Sequence, residues 1–217
     1  MLLAIDTAPR YASISLYGPD GVLSEQSWRS DHRHSVQVMP AIAAMLDQQK
    51  LSPSDLQAVA VAKGPGSFTG LRIGMSIAKG LCLALQIPLV AIPTLEITTY
   101  AVGDPGTPVV AVLEAGRGRL CVGTYLFSEG LPAQVGDIEL VIASDWIVPA
   151  NEPILVTGEV NGELVERLLS QPNAQNISIS SLAGSLRRAG YLAELAWDRF
   201  QDGRVDDVAV VSPLYIH

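Results

Sequence analysis

One run of residues, Gln57 to Leu85, constrains this chain more than any other: a strand pattern, a glycine-rich turn and an apolar helix follow in that order. Gln57 to Lys63 alternates valine and alanine as a buried strand does, and the helix pattern runs from about Thr69 to Leu85. Between them lies Gly64-Pro65-Gly66-Ser67-Phe68-Thr69-Gly70. A strand leading through glycines into a helix belongs to α/β proteins. It also lets backbone N–H groups face an anion. The loop is not a P-loop, because Leu71 stands where a lysine would follow the last glycine. Its glycines run G-x-G-x-x-x-G, which is not the dinucleotide fingerprint, and Phe68 occupies the centre that an esterase elbow gives to serine. The purely structural alternative is a tight turn with Ser67 or Thr69 capping the helix, and the residues alone leave both readings open.

The flanking sequence extends the α/β pattern. Leu2 to Ile5, Ala12 to Tyr17 and Val22 to Trp28 read as a meander, with Gly18-Pro19-Asp20-Gly21 as the turn between the last two. From Ser35, a plausible N-cap, to about Gln48, the residues Val38, Met39, Ile42, Met45 and Leu46 recur at helical spacing despite Pro40. Ile87 to Ile92 is a further strand, and Thr94 caps a short helix to about Ala101. The cluster Val102-Gly103-Asp104-Pro105-Gly106-Thr107-Pro108 sets the boundary between an N-terminal lobe, 1–104, and a C-terminal lobe, 105–217. In the second lobe strands are expected at Val109 to Leu113, Leu120 to Phe127, Gln134 to Val141 and Ile154 to Thr157. Short helices are expected near Ser144 to Ile147 and Gly162 to Leu169, and a long one from Ser181 to Phe200 with Leu182, Leu186, Ala189, Ala193, Ala196 and Phe200 on one face. No sequence repeat is evident.

Composition narrows the function. Hydrophobic residues make up 48% and charged ones 17%, so the surface is sparsely charged; an apolar patch under a partner and a large filled core both give that composition. The formal charge of −8, with no run of Lys or Arg, argues against strong direct binding of a phosphate backbone. Cys82 and Cys121 sit in apolar runs and read as core residues of a reducing compartment. The N-terminus lacks a signal-peptide pattern, and no apolar run reaches the roughly 18 to 20 residues that cross a bilayer, so a cytoplasmic protein off the membrane is expected. Asp6-Thr7, ending the first strand, could bring a carboxylate near a nucleotide-bound metal, or could simply end a strand. With the loop, Asp6, Thr7, Gly64, Gly66 and Ser67 are the weak candidates for nucleotide binding. His32 and His34 flank Arg33 without a third ligand and read as surface or cap residues, and His217 carries no reading.

Leu3-Ala4-Ile5-Asp6-Thr7, His34-Ser35, Met39-Pro40, the stretch Lys63 to Gly74, Ala78-Lys79-Gly80-Leu81, Ile87-Pro88-Leu89-Val90 and the ending Ser212-Pro213-Leu214-Tyr215 together resemble the TsaB family. His217 stands where that family usually has arginine, and Leu113-Glu114-Ala115-Gly116-Arg117 matches it only loosely. The resemblance implies a two-lobed actin, hexokinase and heat-shock ATPase-like, ribonuclease H-like α/β fold with mixed sheets flanked by helices, paralogous to the catalytic subunit TsaD. It implies a non-catalytic subunit of the complex that forms threonylcarbamoyladenosine at position 37 of tRNAs reading ANN codons. TsaD would be stabilised and activated by it, TsaE would join, and tRNA would be bound mostly by other members. A homodimer of the free chain stays open. The resemblance implies no tightly bound cofactor, with ATP or ADP and magnesium only in the assembled complex. TsaD proteins carry two metal-binding histidines on the helix after the fifth strand; the matching positions here are Thr94 and Thr98, so no metal site is expected. The alternative is a stand-alone phosphotransferase or ATPase using Asp6 and the loop, whereas a metalloprotease fails for want of ligands.

The partner surface expected from the sequence is a stripe of small residues, Gly70, Gly74, Ala78 and Cys82, spaced by four along the helix after the loop. Gly74 and Gly80 each cost a helix interior about 1 kcal/mol against alanine, and close approach of another helix would offset that. That helix is either Ser35 to Gln48 of the same chain or, as the resemblance favours, one of a partner. Val38, Ile42 and Met45 complete the expected interface.

Overall fold

The computed structural model describes residues 1–8, 11–30 and 34–216. His32, Arg33 and His217, read above from sequence, lie outside the described residues, as does the side chain of His34. The chain divides into two compact units, one of residues 1–94 and 188–215, the other of residues 95–187 with Ile216.

The first unit holds strands β1 (Leu2–Asp6), β2 (Tyr11–Gly18), β3 (Gly21–Arg29), β4 (Ala58–Ala62) and β5 (Leu89–Ile92) in the order β3-β2-β1-β4-β5. β1 and β2, and β2 and β3, are antiparallel, while β4 runs parallel to β1 and to β5. The second unit holds β6 (Val109–Glu114), β7 (Arg119–Ser128), β8 (Leu131–Ile142), β9 (Ile154–Gly158) and β10 (Ile177–Ile179) in the order β10-β9-β6-β7-β8. Read from its third strand, the second sheet has the order and strand directions of the first. The duplication absent from the sequence is thus present in the topology.

Register explains how the first sheet is covered. Leu3, Leu16, Val59 and Leu89 lie across one row, and Ile5, Ile14, Val61 and Ala91 across another. All eight are buried with Val38, Ile42 and Met45 of helix α1 (His34–Gln48) and Met75, Ala78 and Cys82 of helix α2 (Phe68–Leu85). The intervening row, Ala4, Ser15 and Ala60, faces the other way, because successive side chains in a strand alternate. Helix α5 (Ala189–Gln201) packs against β1, β2, β3, β4 and β5. Its own buried residues include Ala189, Gly190, Ala193 and Ala196, so small side chains face small ones and the helix lies close to the sheet.

The second unit builds one core from Val110, Val112, Leu120, Ile154 and Val156 with Leu164 and Leu168 of helix α4 (Gly162–Leu169). Asn161 caps α4 by accepting from Leu164 N at 2.9 Å. Leu95, at the start of helix α3 (Thr94–Tyr100), is buried with Leu113, Cys121 and Tyr125.

Several expectations are corrected. The division between units falls at Thr94, not near 104, and residues 188–215 return to the first unit, because α5 completes the first sheet's second face. The expected long helix from Ser181 begins only at Ala189. Ser181 Oγ instead accepts from Gly184 N, and Ser185 Oγ donates to Ser181 O, local bonds that close turns. Leu182, expected on the buried face, is 72% exposed. The free N–H groups of α5 find acceptors on the first sheet: Ala189 N donates to Ser13 Oγ at 2.8 Å and Gly190 N to Glu25 Oε1 at 2.7 Å. Ser144 and Asp145 lie in a turn and Trp146 and Ile147 in irregular chain, not in a helix, and Gln171 and Asn173 bond the backbone of Trp146 and Val148. The strand β10 was not anticipated. Ser35 lies inside α1 instead of capping it. Among the described residues α2 is the one helix long and apolar enough by length and composition to cross a membrane, and 33% of it is buried.

Candidate functional site

The glycine-rich loop is closed by the chain itself. Gly64 adopts φ +109°, which favours glycine, and a Cβ there would stand 2.4 Å from Leu214 O. The segment before the C-terminus is held across the loop, with Leu214 N donating to Lys63 O at 2.6 Å. Gly64 and Thr94 exchange two bonds: Gly64 N donates to Thr94 Oγ1 at 3.0 Å and Thr94 N to Gly64 O at 2.8 Å. Thr94 therefore opens α3 and ties it to the loop. Ser67 N donates to Ala8 O at 2.8 Å, and a Cβ on Gly66 would meet the Ala8 Cβ at 2.9 Å. Ser67 caps α2 by accepting from Gly70 N at 3.3 Å.

The five nucleotide candidates are brought together, and several of their polar groups are already engaged. Asp6, buried at the end of β1, accepts from Ala8 N through Oδ1 at 2.9 Å. Thr7 Oγ1 donates to Gly70 O at 2.8 Å. The N–H groups of Gly64, Ser67, Gly70 and Leu71 all have protein acceptors, so an anion at those four groups would have to displace bonds the fold already makes. These contacts join the ends of β1 and β4, the start of α2 and the C-terminal segment around one turn.

The expected partner stripe is corrected by the same contacts. Gly70, Gly74, Ala78 and Cys82 are buried, as are Val38, Ile42 and Met45, within the chain's own core. A Cβ on Gly70 would stand 2.0 Å from Thr7 O, and one on Gly74 would stand 2.3 Å from Thr7 Oγ1. The close neighbour of Gly70 and Gly74 is Thr7, just after β1, while Ala78 and Cys82 are buried in one core with residues of α1. Cys82 Sγ donates to Pro88 O at 3.4 Å, and burial pushes its thiol up to about 11. Gly80 behaves differently: a Cβ there would meet nothing within 4 Å.

The opposite side of these helices is exposed and apolar. Val36 is 67% exposed, Met39 42%, Phe68 54% and Leu83 71%. Ser76, Gly80 and Ala84, spaced by four, are exposed on the same helix as Phe68 and Leu83. A groove of about 470 Å³ lies here, lined by Ser35, Phe68, Thr69, Arg72, Ile73, Ser76 and Ile77. Its signal in the sequence was Val36, Phe68 and Leu83, apolar residues outside the core set of each helix; Met39, grouped with that set by its spacing, is exposed with them.

For a metal, Thr94 and Thr98 are buried hydroxyls, and Thr94 Oγ1 is engaged with Gly64 N. Among the described residues no group of three His, Cys, Asp or Glu side chains could hold a metal ion.

Two mixed five-stranded sheets of one order, flanked by helices, define the class of two-lobed actin, hexokinase and heat-shock ATPase-like proteins. Residues 13–151 match the family model described as tRNA N6-adenosine threonylcarbamoyltransferase, TsaD. The tRNA threonylcarbamoyladenosine biosynthesis protein TsaB of Bacillus subtilis is 35% identical over 175 residues, spanning 77% of this chain and 76% of that one. Its counterpart in Haemophilus influenzae is 32% identical over 99% of this chain and 92% of its own length. Among solved structures, YeaZ from Pseudomonas aeruginosa superposes with a TM-score of 0.83 at 27% identity, covering 99% of each chain. The chain belongs to the TsaB family.

Proposed function

We propose that this chain acts in threonylcarbamoyladenosine formation on tRNA as a non-catalytic subunit that docks a TsaD-type transferase through the outer faces of α1 and α2. The observation that carries this reading is the exposed apolar surface of Val36, Met39, Phe68 and Leu83, flanked by the flat strip of Ser76, Gly80 and Ala84. A stable docking site needs apolar anchors beside ground low enough for a second helix to approach. Both are present, and Gly80 has open space above it. The loop supports a role without chemistry of its own, because four of its N–H groups, those of Gly64, Ser67, Gly70 and Leu71, already bond the protein. ATP or ADP with magnesium would then enter only in the assembled complex, and TsaE would join that complex. The net charge of −8 supports tRNA contacts made mostly by other members, in the cytoplasm. A free chain would cover the same apolar face by pairing with a second copy.

The test is Leu83→Asp, at a site that is exposed and makes no core contact. Binding to the TsaD-type protein of the same organism, measured by titration calorimetry, should weaken at least about 30-fold, as for loss of an anchor worth about 2 kcal/mol, with unchanged thermal stability. Wild-type affinity in the variant would remove the docking face from these helices.

A further inference from the structure

The groove between α1 and α2 has a charge at one point only. Of its seven lining residues Arg72 alone is ionised, among the apolar walls of Phe68, Ile73 and Ile77 and the hydroxyls of Ser35, Thr69 and Ser76. The side chain is held from two sides by its own chain. Its guanidinium carbon lies 3.7 Å from the Phe68 ring centroid, and its Nε donates to the Tyr215 hydroxyl at 3.0 Å. The rings of Phe68 and Tyr215 are themselves in contact, with centroids 5.1 Å apart. These contacts use the face of the guanidinium and its Nε–H. Among the described residues no acceptor takes the hydrogens of its two Nη atoms.

We propose that this groove recognises an aspartate or glutamate presented on an apolar helix of the docked transferase subunit, with the Nη atoms of Arg72 gripping the carboxylate. The inference rests on the docking face described above and adds its polar determinant. A planar fork with two free N–H pairs matches a carboxylate. A phosphate backbone is the poorer occupant: it would need several cations, whereas the groove has one, on a chain of net charge −8. A wholly apolar helix would leave a guanidinium covered and without an acceptor. Because Phe68 and Tyr215 already fix the side chain, little rotamer freedom remains to be lost when the partner arrives. Arg72 would set which helix is accepted and in which register, while Phe68 and Tyr215 are positioning residues.

The experiment titrates the full-length chain with the transferase subunit at low and high salt, using wild type, Arg72→Gln, Tyr215→Phe and Leu83→Asp. Arg72→Gln should bind about 30-fold more weakly and lose most of the salt dependence, since it removes a charge pair. Tyr215→Phe should weaken binding several-fold while keeping the salt dependence. Arg72→Glu should abolish binding, and replacing a single partner Asp or Glu by Lys should restore it. Arg72 is exposed, and circular dichroism should show all four variants folded. If Leu83→Asp loses binding while Arg72→Gln keeps wild-type affinity and salt dependence, the docking face stands and this inference falls. It falls too if no partner carboxylate couples to position 72, or if Arg72→Gln weakens tRNA binding and leaves the transferase untouched.

Discussion

Gly74→Ala separates a helix glycine needed inside the fold from one kept for a partner. In a helix interior the exchange would ordinarily stabilise by about 1 kcal/mol. Here the new Cβ would stand 2.3 Å from Thr7 Oγ1, where ordinary contact begins at 3.4 Å, so something must shift by about 1 Å. If the Thr7 hydroxyl retreats, its 2.8 Å bond to Gly70 O is lost in a buried setting. Overpacking costs about 1–3 kcal/mol and a stranded buried polar pair about 1–3 kcal/mol. Less the gain in propensity, the variant should be destabilised by about 3 kcal/mol. With a urea slope of about 2–3 kcal/mol per molar, the unfolding midpoint followed by circular dichroism should fall by about 1 M. Thr7→Ala removes the hydroxyl that clashes, so the double variant should be less unstable than the sum of the two singles by about 2 kcal/mol. Gly80→Ala, with nothing within 4 Å of the new methyl, should instead stabilise by up to about 1 kcal/mol. A Gly74→Ala protein as stable as wild type, or additive effects in the double variant, would refute the reasoning.

Glu25→Ala removes the acceptor of Gly190 N and the partner of Arg188 at the start of α5 and should cost about 2 kcal/mol by urea unfolding. Arg188→Ala, which deletes a partly exposed guanidinium, should cost less than about 1 kcal/mol. The Cys82 thiol, ordinarily near 9 and pushed up to about 11 by burial, keeps its proton longer in the folded chain. Its contribution to stability is therefore complete below pH 9 and declines as pH rises toward 11, so Cys82→Ala should flatten the pH dependence of the urea midpoint in that window. The isolated chain should show no ATP hydrolysis above background, and turnover abolished by Asp6→Asn would contradict the structural reading of the loop.

The strand, loop and helix from Gln57 to Leu85 were legible because the signals are local: alternation, glycines, a capping serine and an apolar period. The stripe Gly70, Gly74, Ala78 and Cys82 was equally visible, but small residues announce close approach without saying on which side or to what. Thr7, the neighbour that explains Gly70 and Gly74, lies more than sixty residues earlier in the chain. Periodicity placed Val38, Ile42 and Met45 on one face of α1 and was right; assigning that face to a partner was the error, since a helix of a folded unit turns its most regular apolar stripe inward. Val36, Phe68 and Leu83, which lie off that set, and Met39, which the spacing grouped with it, are the ones left outside. The start of α5 was misread because its caps, Ser13 and Glu25, come from strands over 160 residues away. The unit boundary was misread for the same reason.

The return of α5 to the first sheet has a consequence during synthesis. The strands of that sheet have all been made once Ile92 is joined, but the helix that covers its second face ends at Gln201. At ribosomal rates of about 5–20 residues per second, the hundred or so intervening residues take on the order of 5–20 s. Throughout that interval the nascent first unit has α1 and α2 on one face of its sheet and an uncovered row of small and aliphatic side chains on the other. The second unit, whose residues 95–187 are one continuous stretch, can close that stretch while the first waits. A ribosome stalled between these points should therefore carry a chain that chaperones bind and proteases cut in its first ninety residues, and release of the last segment should end both.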